Sequence, residues 1–63
     1  MTVKEYCELF KIKEDNIQIY SEEEEDTLFT GTTTMGANCV YDEETINGMV
    51  VSEDRKSVIL IVR

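Results

Sequence analysis

The sequence predicts an α+β fold: an N-terminal helix packed on one face of a small, roughly four-stranded antiparallel sheet. Three observations predict it. Val3, Tyr6, Cys7 and Phe10 recur at helical spacing directly behind a capping signal. Ile17–Tyr20 and Thr27–Thr32 are rich in β-formers and flank a polar turn. Val58, Ile59, Leu60, Ile61 and Val62 form a run that is apolar at every position. At 63 residues, the chain makes a single small domain over 1–63.

The helix is the best-marked element. Thr2 and Glu5 stand at the two ends of a capping box, in which each side chain satisfies the other's backbone N–H. Met1 and Tyr6 occupy the positions of a hydrophobic staple around that box. Leu9 widens the apolar face, while Lys4, Glu5, Glu8 and Lys11 face water. Glu8 and Lys11, three apart with the acid first, add a small ion pair. The helix is expected from Val3 to Ile12, and its pattern fades near Glu14, Asp15 and Asn16.

Ile17–Tyr20 and Thr27–Thr32 then form an antiparallel pair through the turn Ser21–Asp26, with Gly31 marking a bulge or the strand end. Gly36, Ala37 and Asn38 suggest a further turn, and Tyr41–Glu44 reads as a helical turn or a loop. Asn47-Gly48 allows two readings. It is the turn of a hairpin joining Val40–Ile46 to Met49–Val51, or it opens a strand that runs to Ser52. The second is favoured, because Tyr41–Glu44 is too acidic for a good strand. Ser52–Lys56 is a turn, and Ser57–Arg63 is the last strand, flanked by Arg55, Lys56 and Arg63 as guards against aggregation.

The last strand carries the main structural expectation. Successive side chains point to opposite faces, so Val58, Leu60 and Val62 share one face and Ile59 and Ile61 the other. A strand apolar on both faces needs cover on both, and the sequence offers one amphipathic helix. Either the middle segment, with Met35, Val40, Tyr41 and Ile46, folds over the second face, or that face meets a protein partner or a second copy. A chain this short buries only about 60 % of its unfolded surface, so association would help it.

Composition narrows the chemistry. The chain holds 14 acids against 6 bases and no histidine, for a formal net charge of −8. That balance repels DNA, RNA and anionic membranes, so no direct nucleic-acid or membrane contact is expected. The longest apolar run is too short to span a bilayer. Two cysteines, Cys7 and Cys39, without a secretory leader, suit free thiols in the cytoplasm, with a single bridge between them as the alternative. Cys7 reads as a small buried hydrophobe and Cys39 as a loop residue open to solvent, next to acids that discourage its ionisation.

No catalytic, cofactor or metal residues emerge. Lack of histidine removes the usual general base and the Ser-His and Cys-His pairs. Two cysteines without CxxC spacing are a poor metal set. Gly31 and Gly36 form no phosphate loop, and Ser21–Thr32 lacks the ligand order of an EF-hand. The threonines around Gly31 read as strand and turn residues.

The acids are the one unusual feature. They gather at Glu22, Glu23, Glu24, Glu25 and Asp26, at Asp42, Glu43 and Glu44, and at Glu53 and Asp54, all on expected turns or loops. Charge runs of this kind keep loops solvated. Spaced over a rigid surface, they also imitate a phosphate array and compete for the basic groove of a nucleic-acid-binding protein.

Met1–Tyr6 with its capped TVKE start, the acidic-turn hairpin with Leu28-Phe29-Thr30-Gly31 in its second strand, and the terminal run Val58–Val62 resemble a loose group of short proteins. These are encoded by phages and mobile elements of Gram-positive bacteria. The resemblance spans most of the chain but departs from it between Thr32 and Glu44. It implies a cytoplasmic, phage-related accessory protein and maps no site residues.

Two functions are therefore expected. The first is a non-catalytic accessory protein acting through protein–protein contacts at Ile59 and Ile61. The alternative is an acidic phage-type inhibitor that mimics nucleic acid and blocks a basic DNA- or RNA-binding host protein through the two larger acidic groups.

Overall fold

The computed structural model describes residues 1–10, 16–53 and 57–63. Its elements are helix α1 (Val3–Phe10), strands β1 (Asn16–Ser21) and β2 (Asp26–Thr32), a single-turn helix α2 (Thr33–Gly36), and strands β3 (Gly48–Val51) and β4 (Ser57–Val62). The four strands form one sheet in the order β2-β1-β4-β3.

The sheet is mixed, which corrects the expectation of a wholly antiparallel one. β1 pairs antiparallel with β2, and β3 pairs antiparallel with β4, but the two central strands β1 and β4 run parallel. The reason lies in β4. Its unbroken apolar run suits an interior strand, which has a hydrogen-bonded neighbour on both flanks.

Register divides the side chains cleanly. Ile17, Ile19 and Ser21 of β1 lie opposite Val58, Leu60 and Val62 of β4. These residues, with Val3, Tyr6 and Cys7 of α1, build the core: Ile17, Ile19, Leu60, Val62, Val3 and Cys7 are fully buried and Ala37 joins them. Leu28, Phe29, Cys39, Tyr41, Ile46 and Val58 pack against that cluster. The middle segment thus contributes to the same core as α1.

Helix α1 begins as its capping box requires. The Thr2 amide donates to Glu5 Oε1 at 2.9 Å, and the Glu5 amide donates to Thr2 Oγ1 at 3.2 Å. The other early amides find partners the sequence did not announce: Val3 N–H donates to the Glu44 carbonyl and Lys4 N–H to the Asp42 carbonyl, at 2.9 and 2.8 Å. Every N–H of the first turn is satisfied, as a stable helix start demands. Leu9 does not widen the buried face but is exposed, and Phe10 lies at its margin, its ring 4.7 Å from that of Tyr6. Met1 is exposed, and its carbonyl accepts from the Ile46 amide. The expected helix end at Ile12 and the Lys11 partner of Glu8 lie outside the described residues, as do Arg55 and Lys56.

Gly31 marks neither a bulge nor a strand end. The irregularity falls at Leu28, because Ile19 pairs with Phe29 and Tyr20 with Thr27. The extra residue lets two consecutive apolar side chains, Leu28 and Phe29, both reach the core, which strict alternation forbids. Thr33–Gly36 forms one helical turn, and the turn expected around Gly36, Ala37 and Asn38 follows it at Ala37 and Asn38. Thr32 caps the helix by accepting from the Met35 amide at 3.3 Å. Among the described residues, no helix is long and apolar enough to cross a membrane.

Candidate functional site

The face of the sheet turned away from the core is set by the same registers. Gln18 and Tyr20 of β1 stand beside Ile59 and Ile61 of β4, and Val50 of β3 stands beside Ile59 on the far side. Gly48 lies opposite Ile61 and places no side chain over it. Tyr20, Ile61, Ile59 and Val50 therefore make a continuous apolar strip across three strands. Tyr20, Ile59 and Ile61 are half-buried and Val50 is 49 % exposed. None of the four belongs to the core cluster or to the side chains packed on it.

Among the described residues, no strand position on this face carries a charge. Its remaining strand positions are Asn16, Gln18, Thr27, Thr30, Thr32, Gly48 and Ser57. In a chain with a net charge of −8, an uncharged face across four strands stands out. Met35, Val40, Tyr41 and Ile46 do not cover it. Tyr41 and Ile46 pack on the core, and Met35 and Val40 are exposed.

The acids occupy another part of the molecule. Glu22–Glu25 form the exposed turn between β1 and β2, and Asp26 opens β2. The turn is tied down from below. Ser21, 1 % exposed, donates its hydroxyl to the Arg63 carbonyl at 2.8 Å and accepts from the Glu24 amide at 3.0 Å. The Glu22 amide donates to the Val62 carbonyl at 2.9 Å. The second group has a structural duty: the carbonyls of Asp42 and Glu44 complete the start of α1.

Folding brings parts of the two groups together. Glu23, Glu24 and Glu44 line a shallow hollow of about 400 Å³ with Ser21, Leu28, Tyr41 and Arg63. Glu43 and Glu44 line an adjoining one with Thr45, Asn47 and Arg63. Arg63 thus borders both hollows. Glu22, Glu25, Asp26 and Asp42 line neither, and Glu53 follows β3. Among the described residues, no three His, Cys, Asp or Glu side chains are placed to hold a metal ion.

The cysteines are free thiols. Cys7 is fully buried, and burial first, then the nearby Cys39 and Glu8, push its pKa up to about 11. Such a thiol is a packing residue and a poor nucleophile at neutral pH. Cys39 is half-buried, packed on the core, and so less open than its loop setting suggested. The Glu5 carboxyl is perturbed. Its bond from the Thr2 backbone, then that to the Thr2 side chain, hold it below the ordinary range.

Sequence reasoning identified Ile59 and Ile61 because the face of β4 follows from alternation alone. It missed Val50 and Tyr20, whose membership depends on strand order, and Arg63 as the residue between the acidic groups. No protein-family model matches the chain, and no curated protein or solved structure matches it.

Proposed function

We propose that this protein is a small, non-catalytic accessory protein that works by protein–protein contact through the uncharged sheet face centred on Ile59 and Ile61. In this reading α1 packs against the opposite face with Val3, Tyr6 and Cys7, leaving Tyr20, Ile59, Ile61 and Val50 for a partner. The observation that carries it is the segregation of charge. Fourteen acids are distributed over the chain, yet none lies at a strand position on this face. Depletion of charge around an aromatic and aliphatic centre is the signature of an interface core. A cytoplasmic, phage-related setting belongs to the same proposal.

A second reading has one observation in its favour. Glu23, Glu24, Glu43 and Glu44, from distant parts of the sequence, converge on adjoining hollows, which supplies a compact anionic surface for a basic groove. This is the nucleic-acid mimic, whose binding would fall steeply with salt.

One experiment separates them. The tagged chain is used to recover partners from its own host, alongside Ile59→Ser and a variant with Glu23, Glu24, Glu43 and Glu44 changed to Gln. Under the contact reading, Ile59→Ser loses the partner and the Gln variant keeps it. The reverse result, with elution by moderate salt, assigns the function to the acids and removes the contact reading.

A further inference from the structure

We propose that β3 docks edge to edge against β3 of a second copy, antiparallel about a two-fold axis at Val50, to make one eight-stranded sheet. The inference goes beyond the face contact just described, because it rests on backbone groups and not on the side chains of Ile59 and Ile61.

The sheet has two edges, and they are built differently. β2 carries the devices that blunt an edge: a bulge at Leu28, a charge at Asp26 and the adjoining helix α2. β3 has none of them. It is Gly-Met-Val-Val, without charge, proline or bulge, and it is the last strand in the order. Met49, Val50 and Val51 are each about half exposed, at 57 %, 49 % and 59 %. An uncharged apolar edge of this kind is a template for another strand.

The hydrogen-bond pattern shows which groups are on offer. The Ser52 amide donates to the Ser57 carbonyl at 2.9 Å, which continues the register Val51↔Val58. Bonded and non-bonded pairs alternate along an antiparallel ladder. Val50 therefore turns its N–H and C=O groups toward β4, and Met49 and Val51 turn theirs outward; at the start of the strand the Asn47 N–H also points inward and donates to the Ile61 carbonyl at 2.7 Å.

A second copy fits this pattern by symmetry. Outward groups must meet outward groups, so a two-fold axis passes through Met49, Val50 or Val51. An axis at Val51 sets Glu53 against the apolar side chain of Met49. An axis at Met49 leaves Ser52 beyond the paired stretch. With the axis at Val50, Gly48 to Ser52 all pair, Met49 exchanges both hydrogen bonds with the partner's Val51, and Glu53 falls opposite the partner's Asn47. No acid faces an acid across the seam, which a chain of net charge −8 requires of any self-contact. Val50 then meets its own copy on the uncharged face, and the strips of Ile59 and Ile61 from both copies join.

The test uses the full chain. Sedimentation should show a concentration-dependent dimer. Val50→Cys should form an intermolecular disulfide readily, since a non-bonded antiparallel pair lies about 4.5 Å apart at Cα. Met49→Cys should not, because the two copies of Met49 are offset by two residues along the strands, about 7 Å beyond the sideways spacing. Met49→Pro removes an N–H that only a partner uses and should weaken the dimer about tenfold or more. Val50→Lys, which brings two cations together at the axis, should abolish it with the circular dichroism unchanged. A chain that stays monomeric at millimolar concentration, or equal cross-linking through Met49→Cys and Val50→Cys, would overturn the proposal. If Ile59→Ser dissociates the dimer and Val50→Lys does not, the copies meet face to face; the edge proposal then fails while the face reading survives.

Discussion

Thr2 and Glu5 hold each other's amides, at 2.9 and 3.2 Å, and this reciprocity makes the first turn of α1 sensitive to both residues. Thr2→Ala leaves the Glu5 amide without its acceptor and should cost about 1 kcal/mol in denaturant unfolding. The same pair predicts a pH dependence. The Glu5 pKa is lowered below its ordinary 4.5 in the folded state, chiefly by the bond from the Thr2 backbone. A depressed carboxyl stabilises the fold fully above its unfolded pKa, and that help is lost as pH falls through the folded value. The melting-temperature gap between the wild type and Glu5→Gln should therefore be constant at neutral pH and shrink below about pH 4.5. A gap that does not change with pH would contradict it.

Gly36 sits where no side chain fits. A Cβ there would stand 2.5 Å from Ile17 Cδ1 and 2.9 Å from Cys7 Sγ, both in the buried core. Gly36→Ala should destabilise by roughly 1–3 kcal/mol. Ile17→Val removes the closer atom, so the double variant should lose less than the two single losses added together. Strict additivity in a double-mutant cycle would show that the clash is relieved elsewhere.

Glu25 closes the acidic turn with φ of 54°, in the left-handed region. A side chain with a Cβ is strained there, and glycine is not. Glu25→Gly should raise stability by about 0.5–1 kcal/mol. Glu25→Gln removes the same charge without relieving the backbone, and should give the smaller gain in parallel melts.

Thr33 is fully buried, and its hydroxyl has no hydrogen-bond partner among the described residues. Thr33→Val keeps the shape and removes the unsatisfied group. It should stabilise by about 1 kcal/mol in urea unfolding; a loss of stability would point to a partner for the hydroxyl.

The parts of the fold that could be read in advance are those set by neighbours in sequence. Thr2 and Glu5 announced the helix start, and alternation along Val58–Val62 separated Ile59 and Ile61 from Leu60. Strand order could not be read this way, because a period of two carries no direction. The parallel pairing of β1 with β4 depends on burying Ile17 and Ile19 beside Leu60 and Val62, a long-range condition. α2 was hidden because Thr33, Thr34 and Gly36 are weak helix formers, held by the Thr32 cap and by burial of Thr33 and Gly36. The convergence of Glu23, Glu24, Glu43 and Glu44 on Arg63 follows from that same topology. No local pattern announces it.

The central place of β4 also governs how the molecule is made. β1 and β3 are not neighbours in the sheet; residues 57–62 lie between them. A nascent chain on the ribosome can close the β1–β2 hairpin early, since those strands are neighbours in sequence. It cannot complete the sheet until residues 57–62 have left the exit tunnel. Until then Ile17 and Ile19 lack their inner neighbour, and β3 has nothing to pair with. Assembly therefore waits for a contact between distant parts of the polypeptide, the slow kind.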